Sequence, residues 1–190
     1  MSDPICRWRN PYIKTVREFI SLLPKNEMSS EDFRQFIQGR YDGDFFRTPY
    51  QLACQLGLYI EINERYIPRF STNIDIVELN GYLKNWLKKY PVPNPYTRQG
   101  FENLQPQSVH SQLCNIVLDK NTQVDWNEAK NSVFGEEIGN DDILINTINT
   151  YSDVIEIRSG ILKMKDGVVS DDLAKFVIDT KLTDRNNKES

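Results

Sequence analysis

The sequence predicts a mainly α-helical protein with small β-hairpins, in the α+β class. Three observations lead to this prediction. Most of the chain carries apolar residues at helical spacing, two short alternating segments each surround a turn signal, and both segments directly follow a third predicted helix. The order helix, helix, helix and hairpin therefore occurs twice. This order is typical of a winged helix-turn-helix, so we expect two such units in tandem, joined by a helix and a proline-rich connector.

The first predicted unit begins with two amphipathic helices. Apolar residues recur at helical spacing over 13–23, and Pro24 ends the helix. Ser29 or Ser30 is the expected N-cap of the second helix, because acidic residues follow in its first turn. Its buried stripe is expected to consist of Phe33, Phe36 and Ile37.

The third helix of this unit is predicted over residues 48–57. Thr48 is the expected N-cap, Pro49 occupies the first helical position, and Gly57 is the C-terminal stop. The segments LYIEI and RYIPRF then alternate around Asn63–Glu64, which predicts a hairpin.

A linking helix and a stiff connector are predicted next. The helix covers about residues 74–90, and its apolar side is expected at Ile76, Leu79, Leu83, Trp86 and Leu87. Pro91, Pro93 and Pro95 then favour an extended connector. The predicted domains are 1–90 (first winged helix with an N-terminal arm and the linking helix), 91–105 (connector), 106–183 (second winged helix with a C-terminal helix) and 184–190 (a frayed tail).

The second predicted unit repeats the order of the first. SVHSQLCNIVLD has an apolar helical stripe, DWNEAKNSVFG is capped by Asp125 and stopped at Gly135, and NDDILINTINTYS starts at an Asn or Asp cap. DVIEIRSGILKMKDG predicts a hairpin that turns at Ser159–Gly160. The segment VSDDLAKFVIDTKL predicts a final helix.

Composition restricts the classes of function. There is no apolar run long enough for a membrane span and no signal-peptide pattern at the N-terminus. An odd number of widely spaced cysteines, with one histidine, makes a zinc site improbable and favours reduced thiols in the cytoplasm. Residues 1–100 carry 14 Lys and Arg against 11 Asp and Glu, whereas residues 101–190 carry 9 against 16. The first half could therefore face phosphate, and the second half is less suited to it.

Candidate DNA contacts lie in the first unit. In a winged helix the third helix usually enters the major groove, and the hairpin meets the backbone or the minor groove. Gln51 and Gln55 are four residues apart on one helix face, and glutamine can form two hydrogen bonds with adenine. The full set of expected contacts is Arg7, Arg9, Arg40, Arg47, Tyr50, Gln51, Gln55, Arg65, Arg69 and Arg98. The alternative is ordinary surface, in which Arg65 and Arg69 pair with Glu61 or Glu64 across the hairpin.

The second unit is expected to differ in its partner. Asp141 and Asp142 lie at the end of its third helix that should meet the groove, where carboxylates would repel phosphate. Asn146 and Asn149 are exposed candidates for base contacts, but the charge favours packing or docking on a protein partner. Winged helices also serve as protein-interaction modules, so the fold alone does not decide between the two.

No catalytic residue is assigned from the sequence. His110 and Cys114 share a helix face but have no apparent orienting partner. A Mg²⁺-dependent nuclease would need acids near a lysine, for which FVIDTK offers Asp179 and Lys181, with Asp171 and Asp172 upstream. The stretch DVIEIR offers Asp153, Glu156 and Arg158. The helical spacing around FVIDTK and the hairpin pattern around DVIEIR favour surface positions instead.

The segments TPYQLACQLGLY and YIPRF, followed by YLKNWLKKYPVPNPYTRQGF, resemble the DNA-recognition regions of type II restriction endonucleases. They are most similar to those of the AlwI-like cleaving and nicking enzymes, over roughly residues 5–105 with an extension through about residue 165. The resemblance implies sequence-specific binding of double-stranded DNA through the helix 48–57 and nearby basic residues. It also implies a separate nuclease domain or subunit that would use Mg²⁺, with no cofactor in this chain alone.

The leading hypothesis is therefore a DNA-recognition module or subunit of a restriction-type system. The alternative is a winged-helix adaptor or regulator that binds a protein and makes no DNA contact, which the net charge of −4 favours. A small Mg²⁺-dependent nuclease is the third hypothesis, so whether the chain is an enzyme stays open at this point.

Overall fold

The computed structural model describes residues 11–39, 56–71, 73–89, 91–92, 107–121, 123–134 and 141–177. Within these ranges the protein contains seven helices and two small antiparallel three-stranded sheets. This mixed architecture agrees with the predicted α+β class. No described helix combines the length and the hydrophobicity that a membrane span requires.

The helices are Ile13–Leu22 (α1), Ser30–Gly39 (α2), Ile76–Lys89 (α3), Val109–Lys120 (α4), Trp126–Phe134 (α5), Asp141–Tyr151 (α6) and Ser170–Val177 (α7). The strands are Met28–Ser29 (β1), Tyr59–Ile62 (β2), Arg65–Pro68 (β3), Pro91–Val92 (β4), Gln107–Ser108 (β5), Val124–Asp125 (β6), Ile155–Arg158 (β7) and Ile161–Met164 (β8). Strands β4 and β5 pair with each other, so the start of the predicted connector is a strand.

The described residues form two compact units, which divide within α3 between Tyr82 and Leu83. In the first unit the strand order is β1–β3–β2, and in the second it is β6–β8–β7. In both units a helix precedes a two-residue strand, a second helix follows that strand directly, and a hairpin completes the sheet. The short strand always pairs with the second strand of the hairpin.

Both hairpins turn where the sequence predicts. Asn63 and Glu64 have φ angles of 49° and 58°, and Ser159 and Gly160 have φ angles of 51° and 73°. Two successive residues with positive φ are typical of the two-residue turns whose twist matches that of the flanking strands. The turn chemistry therefore sets the register of each hairpin locally.

The second helix of each unit starts at a side-chain cap. The Asp32 amide donates to Ser29 Oγ at 3.0 Å, and the Glu128 amide donates to Asp125 Oδ1 at 3.1 Å. Both capping residues also end a two-residue strand, β1 or β6. The sequence predicts the caps but not these strands, because two residues are too few for an alternating pattern.

The core of the first unit is aromatic. Tyr66 on β3 is fully buried, and its ring stacks on Phe33 of α2 with centroids 4.2 Å apart. Its hydroxyl donates a hydrogen bond to the Pro24 carbonyl oxygen at 2.9 Å. Burial raises the pKa of Tyr66 from 10.0 to about 12, so the hydroxyl can still donate this bond at a pH where an exposed tyrosine would ionise.

One residue of the predicted apolar stripe of α3, Ile76, is exposed and not buried. Leu79, Leu83 and Leu87 are buried as expected, but Ile76 is 48 % exposed. The first turn of α3 is instead capped by Asp75, whose Oδ2 accepts from the Val77 amide at 3.1 Å. Periodicity identifies the face of a helix that is buried, but it does not show where along the helix the packing begins.

Candidate nucleic-acid interface

Most of the predicted DNA contacts lie outside the described residues. Only Arg65, at the start of β3, and Arg69, just after its end, can be placed. The others are Arg7, Arg9, Arg40, Arg47, Tyr50, Gln51, Gln55 and Arg98. The geometry of the candidate interface is therefore that of the hairpin β2–β3 and its surroundings.

Arg65 is exposed and paired with an acid. Its Nη2 lies 3.3 Å from Glu27 Oε2, and both side chains are more than half exposed. The expected alternative partners were Glu61 and Glu64, but β1 lies beside β3 with Ser29 opposite Arg65, which brings Glu27 alongside. An exposed pair of this kind contributes about 0–1 kcal/mol, so it is a weak obstacle to a phosphate contact.

Arg69 is half-buried and differs from Arg65 in its surroundings. Its guanidinium carbon lies 5.8 Å from the centroid of the Tyr82 ring, within the range of a cation–π contact. Its Nε is buried and has no hydrogen-bond acceptor among the described residues. Among the ion pairs of the described residues, none involves Arg69. A guanidinium that has no carboxylate partner can bind a phosphate without breaking an existing ion pair.

The residues that precede β2 are held by the same tyrosine. Tyr82 Oη donates to the carbonyl oxygens of Leu56, at 2.7 Å, and Gly57, at 2.9 Å. Leu56 is helical and buried, and Gly57 has a φ of 62°. A glycine in the left-handed region ends helices, as predicted for the end of the segment 48–57. The part of that segment before Leu56 lies outside the described residues.

The described part of the first unit carries no positive surplus. Through Tyr82 it contains six Lys and Arg against eight Asp and Glu. Arg34 also pairs with an acid, Glu31, at 3.0 Å. The positive balance predicted for residues 1–100 therefore comes from residues outside this part of the structure and from the lysines of α3 beyond Tyr82.

Asn149, one of the two residues of α6 that the sequence offers for base contacts, is bound to the protein's own backbone. Asn149 was expected to be exposed, but its Oδ1 accepts from the Ile157 amide at 2.7 Å and its Nδ2 donates to the Ile157 carbonyl at 2.8 Å. Strand β7 is at the edge of its sheet, so its outward backbone groups need partners. Asn146 is exposed as predicted, and Asp142 is exposed near the start of the helix.

A buried polar cluster lies in the second unit around His110. The imidazole is 1 % exposed, and its Nε2 lies 2.7 Å from Ser152 Oγ. That oxygen also accepts from the amides of Val154 and Ile155 at 3.3 and 3.1 Å. Its hydroxyl hydrogen is then donated to Nε2, because the two amides use its lone pairs. The sequence showed no orienting partner for His110, since Ser152 is 42 residues away.

The protonation states of this cluster are opposite to those of a reactive pair. Burial, assisted by Lys88 and opposed by Asp153, lowers the pKa of His110 to about 4. Burial raises the pKa of Cys114 to about 12, and its Sγ lies 3.8 Å from His110 Nδ1. The thiol is therefore protonated and the imidazole neutral at pH 7, whereas nucleophilic cysteines need the thiolate. The cluster serves packing.

The acids of the DVIEIR stretch are engaged in ion pairs of the hairpin region. Asp153 Oδ1 lies 2.7 Å from Lys84 Nζ, and Glu156 pairs with Arg158 and Lys163 at 3.3 and 3.8 Å. In the described ranges no group of three or more His, Cys, Asp or Glu side chains could hold a metal ion. Of the FVIDTK pair, Asp179 and Lys181 lie outside these ranges, and Asp171 and Asp172 lie in the first turn of α7.

Comparison with protein-family models, with curated proteins and with solved structures found no match to this chain. The resemblance to restriction-endonuclease recognition regions therefore stays a prediction.

Proposed function

We propose that the chain is a sequence-specific double-stranded DNA recognition module, or subunit, of a restriction-type endonuclease system. The observation that carries the proposal is the base of the hairpin β2–β3, where Arg69 lies over Tyr82 without a carboxylate partner among the described residues. An unpaired, half-buried guanidinium is suited to a phosphate oxygen, because it already lacks part of its hydration.

The proposal includes a winged helix in each unit. Both units have the order helix, short strand, helix and hairpin, with the short strand paired to the second hairpin strand. In the second unit α6 occupies the place of the third helix, between α5 and β7. In the first unit this place falls on the predicted helix 48–57. A wing built this way meets the DNA backbone in winged helices.

In this proposal the two halves of the recognition surface have different tasks. Arg69 and Arg65 on the hairpin contact phosphates, which position the protein without selecting a sequence. Gln51 and Gln55 of the predicted third helix select bases in the major groove. A separate Mg²⁺-dependent nuclease domain or subunit would cut the DNA, and the system would work in the cytoplasm.

A second candidate function, docking on a protein, is favoured for the second unit. Asn149 on α6 is occupied by β7, and Asp142 is exposed near the start of the same helix. The Asp142 carboxylate would repel phosphate, and the Asn149 amide is already hydrogen-bonded to β7. Helix α6 is therefore poorly suited to a DNA groove. The adaptor alternative extends this role to the whole chain.

The test is a selection of duplex DNA from a random library at moderate salt with Mg²⁺ present. Enrichment of one short site would support the proposal, and absence of binding even at low salt would refute it in favour of the adaptor. Gln51→Ala and Gln55→Ala should each cost about 1–3 kcal/mol of base discrimination. Gln38→Ala, on the exposed surface of α2, is the matched control and should leave site preference unchanged.

The same selection also tests the third hypothesis. Cutting of the DNA by the chain alone, dependent on Mg²⁺ and lost in Asp179→Asn or Lys181→Ala, would identify it as a complete small nuclease. Binding without cutting is the result that we expect for a recognition module.

A further inference from the structure

We propose that Tyr82 is a positioning residue, which holds the Arg69 guanidinium where the hairpin β2–β3 meets a DNA phosphate. The inference rests on the proposed function, because it takes a phosphodiester as the ligand of Arg69. Tyr82 lies on α3 and belongs to neither the hairpin nor the predicted third helix. It acts through Arg69 and needs no contact with DNA itself.

The Arg69 guanidinium lies over the face of the Tyr82 ring. The guanidinium carbon is 5.8 Å from the centre of the Tyr82 ring, and the Arg69 Nε is buried without an acceptor among the described residues. Arginine is attracted to the face of an aromatic ring and stacks there in a defined orientation. The ring therefore replaces the carboxylate that orients Arg34, Arg65 and Arg158.

The Tyr82 ring is itself held on two sides. Its hydroxyl donates to the carbonyl oxygens of Leu56 and Gly57, just before β2. The ring of Phe70, just after β3, meets it edge-on at a centroid distance of 4.7 Å and an interplanar angle of 87°. Tyr82 thus joins the entry and the exit of the hairpin, so that its ring, and Arg69 on it, has a defined place.

Arg65 and Arg69 differ in what a phosphate would have to displace. A phosphate at Arg65 must compete with Glu27, which lies 3.3 Å from the guanidinium. A phosphate at Arg69 displaces no carboxylate of the described residues, and the side chain is oriented before binding. Ordering a group in advance lowers the cost of binding, so Arg69 is the better phosphate contact of the two.

The experiment is a double-mutant cycle on duplex binding. The affinity of the full chain for a fluorescein-labelled random-sequence duplex is measured between 50 and 200 mM salt for wild type, Arg69→Ala, Tyr82→Leu and the double variant. Loss of one phosphate contact makes the slope of log K against log salt shallower by about 0.9. The affinity that the variant loses between the lowest and the highest salt is then about 3-fold smaller than the affinity that wild type loses. We expect this change in both single variants and no further change in the double variant. Tyr12→Leu, at an exposed tyrosine, is the control and should keep the wild-type slope.

Each other result overturns a defined part of the reasoning. If the wild-type chain binds no duplex even at low salt, the proposed function fails and the inference with it. If the chain binds but Arg69→Ala keeps the wild-type slope, only the inference fails. If Tyr82→Leu weakens binding equally in the presence and absence of Arg69, with an unchanged slope, Tyr82 is merely structural.

A second variant covers a failure of Tyr82→Leu to fold, as judged by circular dichroism. Tyr82→Phe keeps the ring but removes its hydrogen bonds to the two carbonyl oxygens. We expect its salt slope to fall part of the way toward that of Arg69→Ala, and to equal the Arg69→Ala slope when the two changes are combined. A slope equal to that of wild type contradicts the inference.

Discussion

Burial of His110 should make the stability of the second unit depend on pH. The side chain is 1 % exposed, and its Nε2 accepts a hydrogen bond from the Ser152 hydroxyl. Burial, with a smaller contribution from Lys88 and an opposing one from Asp153, lowers its pKa from 6.5 to about 4. The folded state therefore holds a neutral imidazole in a range where the unfolded chain would be protonated.

The sign and size of the effect follow from this pKa difference. Above about pH 6.5 the imidazole is neutral in both states, and stability is unaffected. As the pH falls from 6.5 toward 4, the unfolded state gains a proton that the folded state does not, so stability is lost. At about 1.4 kcal/mol per pH unit, the total loss is about 3 kcal/mol, and about 2 kcal/mol of it is reached by pH 5.

The assay is urea denaturation at pH 7 and pH 5, followed by tryptophan fluorescence. Trp86 and Trp126 are both buried in the second unit, so their emission reports its unfolding. His110→Gln is the matched variant, because glutamine can still accept from Ser152 and does not titrate. Other groups titrate in both proteins, so we expect wild type to lose about 2 kcal/mol more than the variant between the two pH values. Equal losses in the two proteins would refute the neutral burial of His110.

Three further predictions concern stability, each measured by urea denaturation. Asn149→Ala should cost about 1–3 kcal/mol, because it leaves two backbone groups of β7 without partners. Asn146→Ala, at an exposed position of the same helix, should change stability by less than about 0.5 kcal/mol, and equal effects would contradict the role given to the Asn149 side chain. Tyr66→Phe should cost about 1 kcal/mol, because it removes the hydrogen bond to Pro24. The tyrosinate absorbance that is present in wild type and absent in this variant should appear near pH 12, and its appearance near pH 10 would show an exposed ring. Gly57→Ala should destabilise the protein by about 1–2 kcal/mol, because the φ of 62° is unfavourable for alanine. Gly81→Ala lies inside α3 with open space at its Cβ position and should stabilise the protein by up to about 1 kcal/mol, so changes of the same sign would refute this backbone effect.

The candidate site could be predicted only in part. The alternation around Asn63–Glu64 predicts Arg65 and Arg69 on one face of the second hairpin strand, but of the two only Arg65 lies in β3, and Arg69 lies just after its end. The sequence could not show that one of them pairs with an acid and the other lies on an aromatic ring. Glu27 reaches Arg65 through β1, a strand of two residues, and no pattern in so short a segment predicts its pairing.

The sequence alone predicts the hairpin turns at Asn63–Glu64 and Ser159–Gly160, the helix cap at Asp125, and a cap at Ser29 or Ser30, which the structure places at Ser29. These features depend on steric and hydrogen-bonding preferences that act over a few neighbouring residues, so they are visible in the local pattern. They also account for why each unit contains a helix, a two-residue strand, a second helix and a hairpin in this order among its described elements, although the two sequences are hardly similar.

Which distant groups meet depends on how the chain folds in three dimensions. The Arg65–Glu27 contact joins residues 38 apart in the chain, and the His110–Ser152 contact joins residues 42 apart. The same holds for Tyr82, which became part of the candidate interface only when α3 packed against both ends of the hairpin. Periodicity assigns a side chain to a face, but its partner depends on how whole elements pack, because long-range contacts form between surfaces that no local pattern specifies.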